Sequence, residues 1–411
     1  MNPVIRNIFW LLAEHGSRII LSTLSVSLMA RALGVEQYGL LQYTLGLVAA
    51  FSSISFICGA EVLVPPLVTA TPAERKRLLG NAFVLRQAAS VVAYICLLIF
   101  AWVAEDRGNI LLTSLVGISI LLGESFGVVS AWMQAKTDLK PRSILATVAL
   151  GAKLLCMMVL YKINSFNTTY YAAANIIEPV ILAIGFLIIY NKKTKENFFC
   201  IHKSMLFELL KRGAPFFIGL IAMFFYQRLA TILLKQLSDV YNVGIYSASL
   251  VLVAPIITIS SILISSLAPT YIYSSNDPKE VYRNIGLITI FMFLAGLLLA
   301  LFARVTGDYI LQLIFGGSFS KSIPVFETLV WVTPLISMES ALNQVFIKEK
   351  IGELITIKWI SSSIVAAAFY YLLIPKYLAL GAVFGYMLGY VFACIFSIFI
   401  FFIFSTKKIA N

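Results

Sequence analysis

Twelve stretches of about 20 mostly apolar residues, separated by short polar breaks, constrain this 411-residue chain more than any other feature. A helix needs about 20 apolar residues to cross roughly 30 Å of hydrocarbon, so each stretch has the length of one membrane span. Charged residues make up only 12% of the sequence, which excludes a water-soluble globule. We therefore predict an all-α integral membrane protein. The predicted spans are residues 8–30, 39–65, 80–104, 109–135, 143–163, 167–190, 213–235, 241–271, 283–303, 322–347, 352–374 and 379–404.

The positions of Lys and Arg orient these spans. With the N-terminus inside, the cytoplasmic segments contain nineteen basic residues, the outer segments seven, and the spans themselves five. Cytoplasmic loops of membrane proteins carry such an excess, so we expect both termini in the cytoplasm. The formal net charge of +12 is then mainly an orientation signal, and no nucleic-acid partner is expected.

The longest cytoplasmic break, Asn191–Arg212, divides the spans into two sets of six, in residues 1–200 and 201–411. Similar segments follow the first and seventh spans: Leu33–Leu41 and Leu237–Tyr246 each contain an acid and then a glycine that opens the next helix. Those glycines, Gly39 and Gly244, are 205 residues apart. Because each half has an even number of spans, we predict parallel six-helix bundles related by a pseudo-two-fold axis along the membrane normal. Two such bundles around a central cavity are typical of transporters.

The same segments resemble those of a known family. Ala30-Arg31-Ala32-Leu33-Gly34, then Tyr38-Gly39, then Gly59 and Pro65-Pro66, resemble the opening of polysaccharide repeat-unit (O-antigen) flippases, and Gly244-Ile245-Tyr246-Ser247-Ala248 is similar to their eighth helix. These flippases belong to the multidrug/oligosaccharidyl-lipid/polysaccharide (MOP) exporter superfamily. The resemblance implies a bacterial cytoplasmic (inner) membrane protein that moves an undecaprenyl-diphosphate-linked oligosaccharide to the outer leaflet. The implied partners are that lipid-linked oligosaccharide, membrane lipids, and the polysaccharide polymerase and chain-length machinery.

Five basic residues fall inside the predicted spans, where ionisable groups are costly and usually functional. They are Arg18, Arg86, Lys153, Arg228 and Lys358. Arg grips phosphate oxygens in bidentate fashion and Lys supplies a point charge, so the sequence predicts a cationic lumen that binds a diphosphate. The alternatives are snorkelling to the headgroups for Arg86 and Lys358, and structural ion pairs for the other three.

Five acids in the spans are candidates for charge pairing or for coupling to an H⁺ or Na⁺ gradient. They are Glu14, Glu61, Glu124, Glu178 and Glu339. Glu14 precedes Arg18 by four residues and shares its helix face, so the two can neutralise one another. Glu178 precedes Pro179, so it either couples ion movement at a helix kink or accepts a salt bridge from Lys153 or Arg18. The scattered cysteines predict no metal site, and no cofactor is expected.

Three rival functions compete with the flippase. A membrane polymerase or glycosyltransferase acting on lipid-linked sugars would carry a large outer loop, whereas the longest outer break here, about residues 304–321, is short. The chain also lacks P-loop and H-E-x-x-H motifs, so no enzyme is expected. A drug or cation exporter of the same superfamily is not separated by charge counting. A flippase for the peptidoglycan precursor commonly has more than twelve spans.

Overall fold

The structure, a computed structural model, describes residues 3–194, 200–275 and 277–410. Within these ranges the regular structure is helical, which confirms the predicted all-α class. The helices are α1 (Pro3–Ser52), α2 (Ala60–Thr69), α3 (Pro72–Ala104), α4 (Arg107–Leu122), α5 (Val128–Ala135), α6 (Lys140–Lys162), α7 (Thr168–Thr194), α8 (Lys203–Leu237), α9 (Val240–Ala268), α10 (Pro278–Phe315), α11 (Ser322–Leu329), α12 (Val332–Lys348), α13 (Gly352–Tyr377) and α14 (Ala379–Ala410).

The first two predicted spans lie in α1 and are separated by a kink. Two helical segments meet at Gly34, inside the break that the sequence predicts at residues 31–38. The φ and ψ angles of Gly34 are 68° and 177°, a non-helical conformation that glycine adopts without a Cβ clash. The predicted break is therefore present, but a single glycine makes it instead of a longer loop.

Two of the predicted spans are also interrupted within their own length. The span predicted at 39–65 leaves the α-helix at Ser52 and resumes at Ala60, and the span predicted at 109–135 breaks between Leu122 and Val128. Irregular backbone at membrane depth is tolerated only where protein buries it or where it lines a polar cavity. We therefore expect each break to be buried by protein or to line a polar cavity.

The surface of the helices is suited to lipid. In the described part of the chain, ten helices are long and apolar enough to cross a membrane; α1 contains two predicted spans, and α4 is a shorter apolar helix. Trp102, Val305 and Tyr309 are 77%, 83% and 73% exposed, and they belong to a large set of exposed apolar side chains. Apolar surface of this extent marks a surface that is covered by something other than water. The chain is thus a multi-pass membrane protein.

The chain forms two compact units. The first unit comprises the chain up to Leu33 together with Thr44–Phe224, and the second comprises Gly34–Tyr43 together with Phe225 onward. The first unit has an apolar core that includes Trp132 and Tyr190, whose rings meet edge to face at 5.1 Å. The second unit has a separate core of buried residues from α9, α10, α12 and α14. Each unit thus buries an apolar core of its own.

The repeated glycine segments contact each other inside the second unit. A Cβ on Gly39 would lie 1.9 Å from the carbonyl oxygen of Val240, and a Cβ on Gly244 would lie 2.2 Å from that of Val35. Val35 and Val240 are 205 residues apart, as are Gly39 and Gly244. The contact is therefore reciprocal, as two segments related by a two-fold rotation would make it. Only glycine fits, because the partner backbone occupies the position of a Cβ.

Candidate functional site

The first unit contains a polar cavity of about 570 Å³, which we call the first cavity. The irregular segments at 56–59 and 123–127 contribute to its wall, so the two helix breaks lie beside it. Its charged lining residues are Glu14, Arg18, Arg86, Glu124, Arg142 and Glu178. Its size falls within the ~300–1,000 Å³ typical of small-molecule sites. Five of the charges that the sequence predicts inside the spans of the first half thus line one cavity, and Lys153 is not among its lining residues.

Glu178 is shared between two bases. Its Oε1 atom lies 3.3 Å from an Nη of Arg18, and its Oε2 atom lies 3.4 Å from Nζ of Lys153. Arg18 is 45% exposed, whereas the side chains of Lys153 and Glu178 are mostly buried. One carboxylate therefore balances two cations, and the guanidinium of Arg18 keeps most of its five N–H donors free of this carboxylate.

Glu14 is held by residues of α6. Its Oε2 atom accepts a hydrogen bond from the Ser143 hydroxyl at 2.9 Å, and its Oε1 atom lies 3.5 Å from an Nη of Arg142. The predicted neutralisation of Arg18 by Glu14 is therefore replaced by two cross-helix pairs, Glu14 with Arg142 and Glu178 with Arg18. Residues i and i+4 share a helix face and lie near each other, but here both carboxylates pair with bases on neighbouring helices.

Arg86 joins the two helix breaks. Its Nε and Nη2 donate to the carbonyl oxygens of Ile57 and Cys58 at 3.0 and 2.7 Å, and its Nη1 donates to that of Glu124 at 2.9 Å. The Glu124 carboxylate lies 3.8 Å from the same Nη1. Arg86 is buried and does not snorkel. Its donors satisfy carbonyls that the helix breaks leave without intrahelical partners, so the visible role of Arg86 is structural.

The bases at and beside the first cavity outnumber the carboxylates by one, so one positive charge is unbalanced. Arg86 and Arg142 face one carboxylate each, while Arg18 and Lys153 share the third. Glu61, the remaining acid predicted in the first half, has no place in this balance, because its side chain lies outside the described residues. Among the described residues, no cluster of His, Cys, Asp and Glu could hold a metal ion.

Lys358 forms a sealed pair in the second unit. Its ammonium donates to the Glu339 carboxylate and to the Asn343 side-chain oxygen, the latter at 3.0 Å. The rings of Phe346 and Trp359 lie 4.6 and 5.2 Å from the same nitrogen. Lys358 is 0% exposed, so it neither snorkels nor reaches an aqueous cavity. This lysine is compensated by a carboxylate, an amide and two aromatic faces.

Lys153 and Lys358 occupy equivalent places in the two halves. They are 205 residues apart, the spacing that separates Gly39 from Gly244. Glu339 is likewise 205 residues after Gln134, which lines the first cavity. Thus the position that carries the carboxylate of Glu339 in the second unit carries the uncharged amide of Gln134 in the first unit.

Arg228 lies on α8 at a different cavity, of about 350 Å³, which we call the second cavity. Within the described part of the chain, its guanidinium makes no hydrogen bond and no salt bridge. The wall around it carries amide and hydroxyl side chains and no acid among the described residues. Arg228 is therefore a cation without a counter-ion among the described residues.

Sequence reasoning missed several polar residues of these cavities. Arg142 was assigned to a cytoplasmic segment, yet it lines the first cavity together with Gln134. Gln42, Gln227 and the tyrosines at the second cavity carry no formal charge and gave no signal. An i, i+4 pair such as Tyr386 and Tyr390 is visible in the sequence, but the same spacing is typical of ordinary helix packing.

Comparisons with known structures agree on the fold. An inward-facing multidrug resistance MATE family transporter of the MOP superfamily matches with a TM-score of 0.70 and 14% identity, over 94% of this chain and 96% of that one. An outward-facing structure of such a transporter matches with a TM-score of 0.62 and 14% identity, over 100% of this chain and 96% of that one. A MATE structure in the bent conformation matches with a TM-score of 0.60 and 13% identity, over 99% of this chain and 96% of that one. A search of curated protein sequences finds no match.

A family of sequences identifies the chain more closely. The sequence model of the family described as "Polysaccharide biosynthesis protein" matches residues 4–273, which is more than half of the 411 residues. This match and the MOP-superfamily fold together confirm the resemblance drawn from the glycine segments. The chain belongs to the polysaccharide biosynthesis protein family and has the twelve-helix fold of MOP-superfamily transporters.

Proposed function

We propose that this protein is a flippase of the bacterial cytoplasmic membrane, with both termini in the cytoplasm. It moves an undecaprenyl-diphosphate-linked oligosaccharide, such as an O-antigen unit, from the inner to the outer leaflet by alternating access. The polyprenyl tail stays in lipid while the diphosphate enters the protein, and the delivered unit passes to the polymerase and chain-length machinery. Family membership and the transporter fold support this assignment.

The observation that carries the proposal is the shared carboxylate of the first cavity. Arg18 is half exposed at a cavity wall, and Glu178, its one ionic partner among the described residues, also pairs with Lys153. An arriving diphosphate brings the negative charge that this group lacks, and it can bind Arg18 while Lys153 retains Glu178. Guanidinium and phosphate form short charge-assisted hydrogen bonds, frequently two at once. Movement of H⁺ or Na⁺ through Glu178 would then couple a gradient to release.

The roles proposed for the five bases differ. Arg18 binds the diphosphate while Lys153 neutralises Glu178, and Arg228 offers a cationic position in the second cavity. The donors of Arg86 and Lys358 already satisfy carbonyl, amide and carboxylate oxygens. Their contribution to a cationic lumen is therefore indirect, through the helices that they hold in place.

Complementation tests the proposal. The wild-type chain is expressed in a strain that lacks its flippase and makes the cognate surface polysaccharide, and export is measured at matched expression. Wild type should restore export, whereas Arg18→Ala, Lys153→Ala and Arg228→Ala should reduce it at least about tenfold, since a hydrogen bond to a charged group contributes roughly 1.5–3 kcal/mol. Lys153→Arg keeps the charge and should remain active.

The controls separate the rival functions. If wild type fails to restore export while lipid-linked units accumulate, the flippase assignment falls. Increased drug resistance of the same strain would then favour a drug or cation exporter, and a change in the lipid-linked sugars themselves would favour a membrane enzyme. Full export by all three alanine variants would instead refute the cationic binding site while leaving the flippase assignment in place.

A further inference from the structure

The wall of the second cavity has an unusual chemistry for a membrane interior. Apart from Arg228, its polar lining consists of neutral donors and acceptors. These residues are Gln42, Gln227, Thr231, Ser247, Tyr386 and Tyr390. Amides and hydroxyls can both donate and accept hydrogen bonds, so this wall can pair with hydroxyl groups in either direction. Together with one guanidinium, this is a wall for a ligand that has many hydroxyls and one negative charge.

The first cavity provides the contrast. Its wall contains Glu14, Glu124 and Glu178, each in contact with a base, so the fixed charges there are largely paired. In the second cavity no carboxylate among the described residues competes for Arg228. Arg228 is partly buried, and it has no counter-ion among the described residues. A cation withdrawn from water in this way is costly, and a negatively charged ligand would reduce that cost.

From these observations we propose that the second cavity binds one sugar residue that carries a single anionic group. Arg228 contacts the anion, and the amides and hydroxyls contact the sugar hydroxyls. The volume of about 350 Å³ suits a single sugar residue better than a whole oligosaccharide. This inference deepens the proposed function, because it names the part of the lipid-linked substrate that the second unit recognises.

The two tyrosines of the second cavity are held in place before any ligand arrives. The Tyr226 hydroxyl donates to the Tyr386 carbonyl oxygen at 2.7 Å, and the rings of these residues stack at 5.6 Å. Tyr390 meets Tyr386 edge to face at 5.1 Å and Trp359 at 5.8 Å. Side chains fixed by such packing lose little conformational entropy on binding, which favours recognition of a small ligand that has little apolar surface.

Two sources could supply the anionic sugar. One is the sugar directly attached to the diphosphate, whose anion is a phosphate ester. The other is an acidic sugar within the repeat unit, whose anion is a carboxylate. Both offer hydroxyls next to one negative group, and a guanidinium donates two hydrogen bonds to either anion in bidentate geometry. Glucose 1-phosphate and glucuronate represent the two sources, while glucose and inorganic phosphate represent the separate parts.

Binding to the purified full-length protein in lipid nanodiscs tests the proposal. Trp359 contacts Tyr390, so its fluorescence should report occupancy, and Trp359→Phe should remove that signal. We expect glucose 1-phosphate or glucuronate to bind at least about tenfold more tightly than glucose, since hydrogen bonds to charged groups are the stronger ones. The tighter of the two identifies the source. Arg228→Gln should abolish the advantage and Arg228→Lys should keep most of it.

Arg304→Gln is the matched control and should leave these affinities unchanged, because Arg304 of α10 pairs with Glu327 at 2.6 Å and lines neither cavity. Each variant is first checked for a monodisperse elution profile and an unchanged unfolding temperature. Equal affinity for all sugars, inorganic phosphate binding as tightly as glucose 1-phosphate, or Arg228→Gln without effect would overturn the proposal. So would the absence of binding to folded wild type. Binding without complementation would refute the flippase assignment alone, and complementation without binding would refute the sugar site alone.

Discussion

Gly39→Ala and Gly244→Ala each place one methyl group where a backbone oxygen already lies. Cβ atoms essentially never approach another heavy atom within 3.0 Å, and the two new Cβ atoms would start at 1.9 and 2.2 Å. The backbone at Val240 would therefore have to move by at least about 1.1 Å, and that at Val35 by about 0.8 Å. A carbonyl oxygen in a helix cannot rotate aside as a side chain can, because it is fixed by the peptide plane.

This displacement sets the expected cost. Overpacking a close-packed interior costs typically ~1–3 kcal/mol, and we expect about 3 kcal/mol for Gly39→Ala because backbone must move. Both substitutions open the same reciprocal contact. Once one methyl group has separated the segments, the second meets less resistance, so the double variant should cost clearly less than the sum of the single variants.

Thermal unfolding of the purified protein, followed by intrinsic fluorescence, measures these costs. Gly151→Ala is the matched control, because Gly151 lies inside α6 and its Cβ would meet no atom within 4 Å. That substitution should stabilise the helix by roughly 0.5–1 kcal/mol, since alanine loses less backbone entropy than glycine. If Gly39→Ala unfolds at the same temperature as Gly151→Ala, or if the two crossing substitutions add independently, the reciprocal contact does not exist as described.

Two further predictions concern the equivalent positions of the two units. Lys358→Met should destabilise the protein by about 3–5 kcal/mol in thermal unfolding, because it leaves Glu339 buried and unpaired. The double variant Lys358→Met/Glu339→Leu should recover most of that loss. Equal stability of the single and double variants would contradict the pairing of Lys358 with Glu339. Gln134→Glu adds a carboxylate to the wall of the first cavity, so it should lower complementation relative to Gln134→Leu at matched expression, by repelling a diphosphate; equal export by the two variants would contradict that electrostatic argument.

Hydropathy and charge placement were sufficient for the fold class. Lipid requires long apolar helices with satisfied backbone, and that requirement appears directly in sequence as stretches of about 20 apolar residues. Hydropathy could not show that one glycine, Gly34, makes the turn between the first two spans, or that the helix breaks before Ala60 and after Leu122. Those features depend on one glycine conformation and on carbonyl groups satisfied by a distant arginine, Arg86.

The charged residues of the site were found from sequence, but their partners were not. A charge inside an apolar span is conspicuous, so Arg18, Lys153 and Glu178 could be named. Which base meets which acid depends on helix rotation and on contacts between residues 25 and 160 positions apart. Helical spacing favoured Glu14 as the partner of Arg18, whereas packing places α7 there instead. Neutral residues such as Gln227 could not be distinguished from packing residues at all.

The two lysines at equivalent positions differ in how completely their charge is balanced. Lys358 has its own carboxylate and no exposed surface, so it has no capacity left to attract a ligand. A buried lysine with no carboxylate would cost several kcal/mol and would favour the neutral form. Lys153 lies between these limits, because it shares Glu178 with the half-exposed Arg18. The shared carboxylate balances only one of these two positive charges, and the proposed diphosphate would balance the other reversibly.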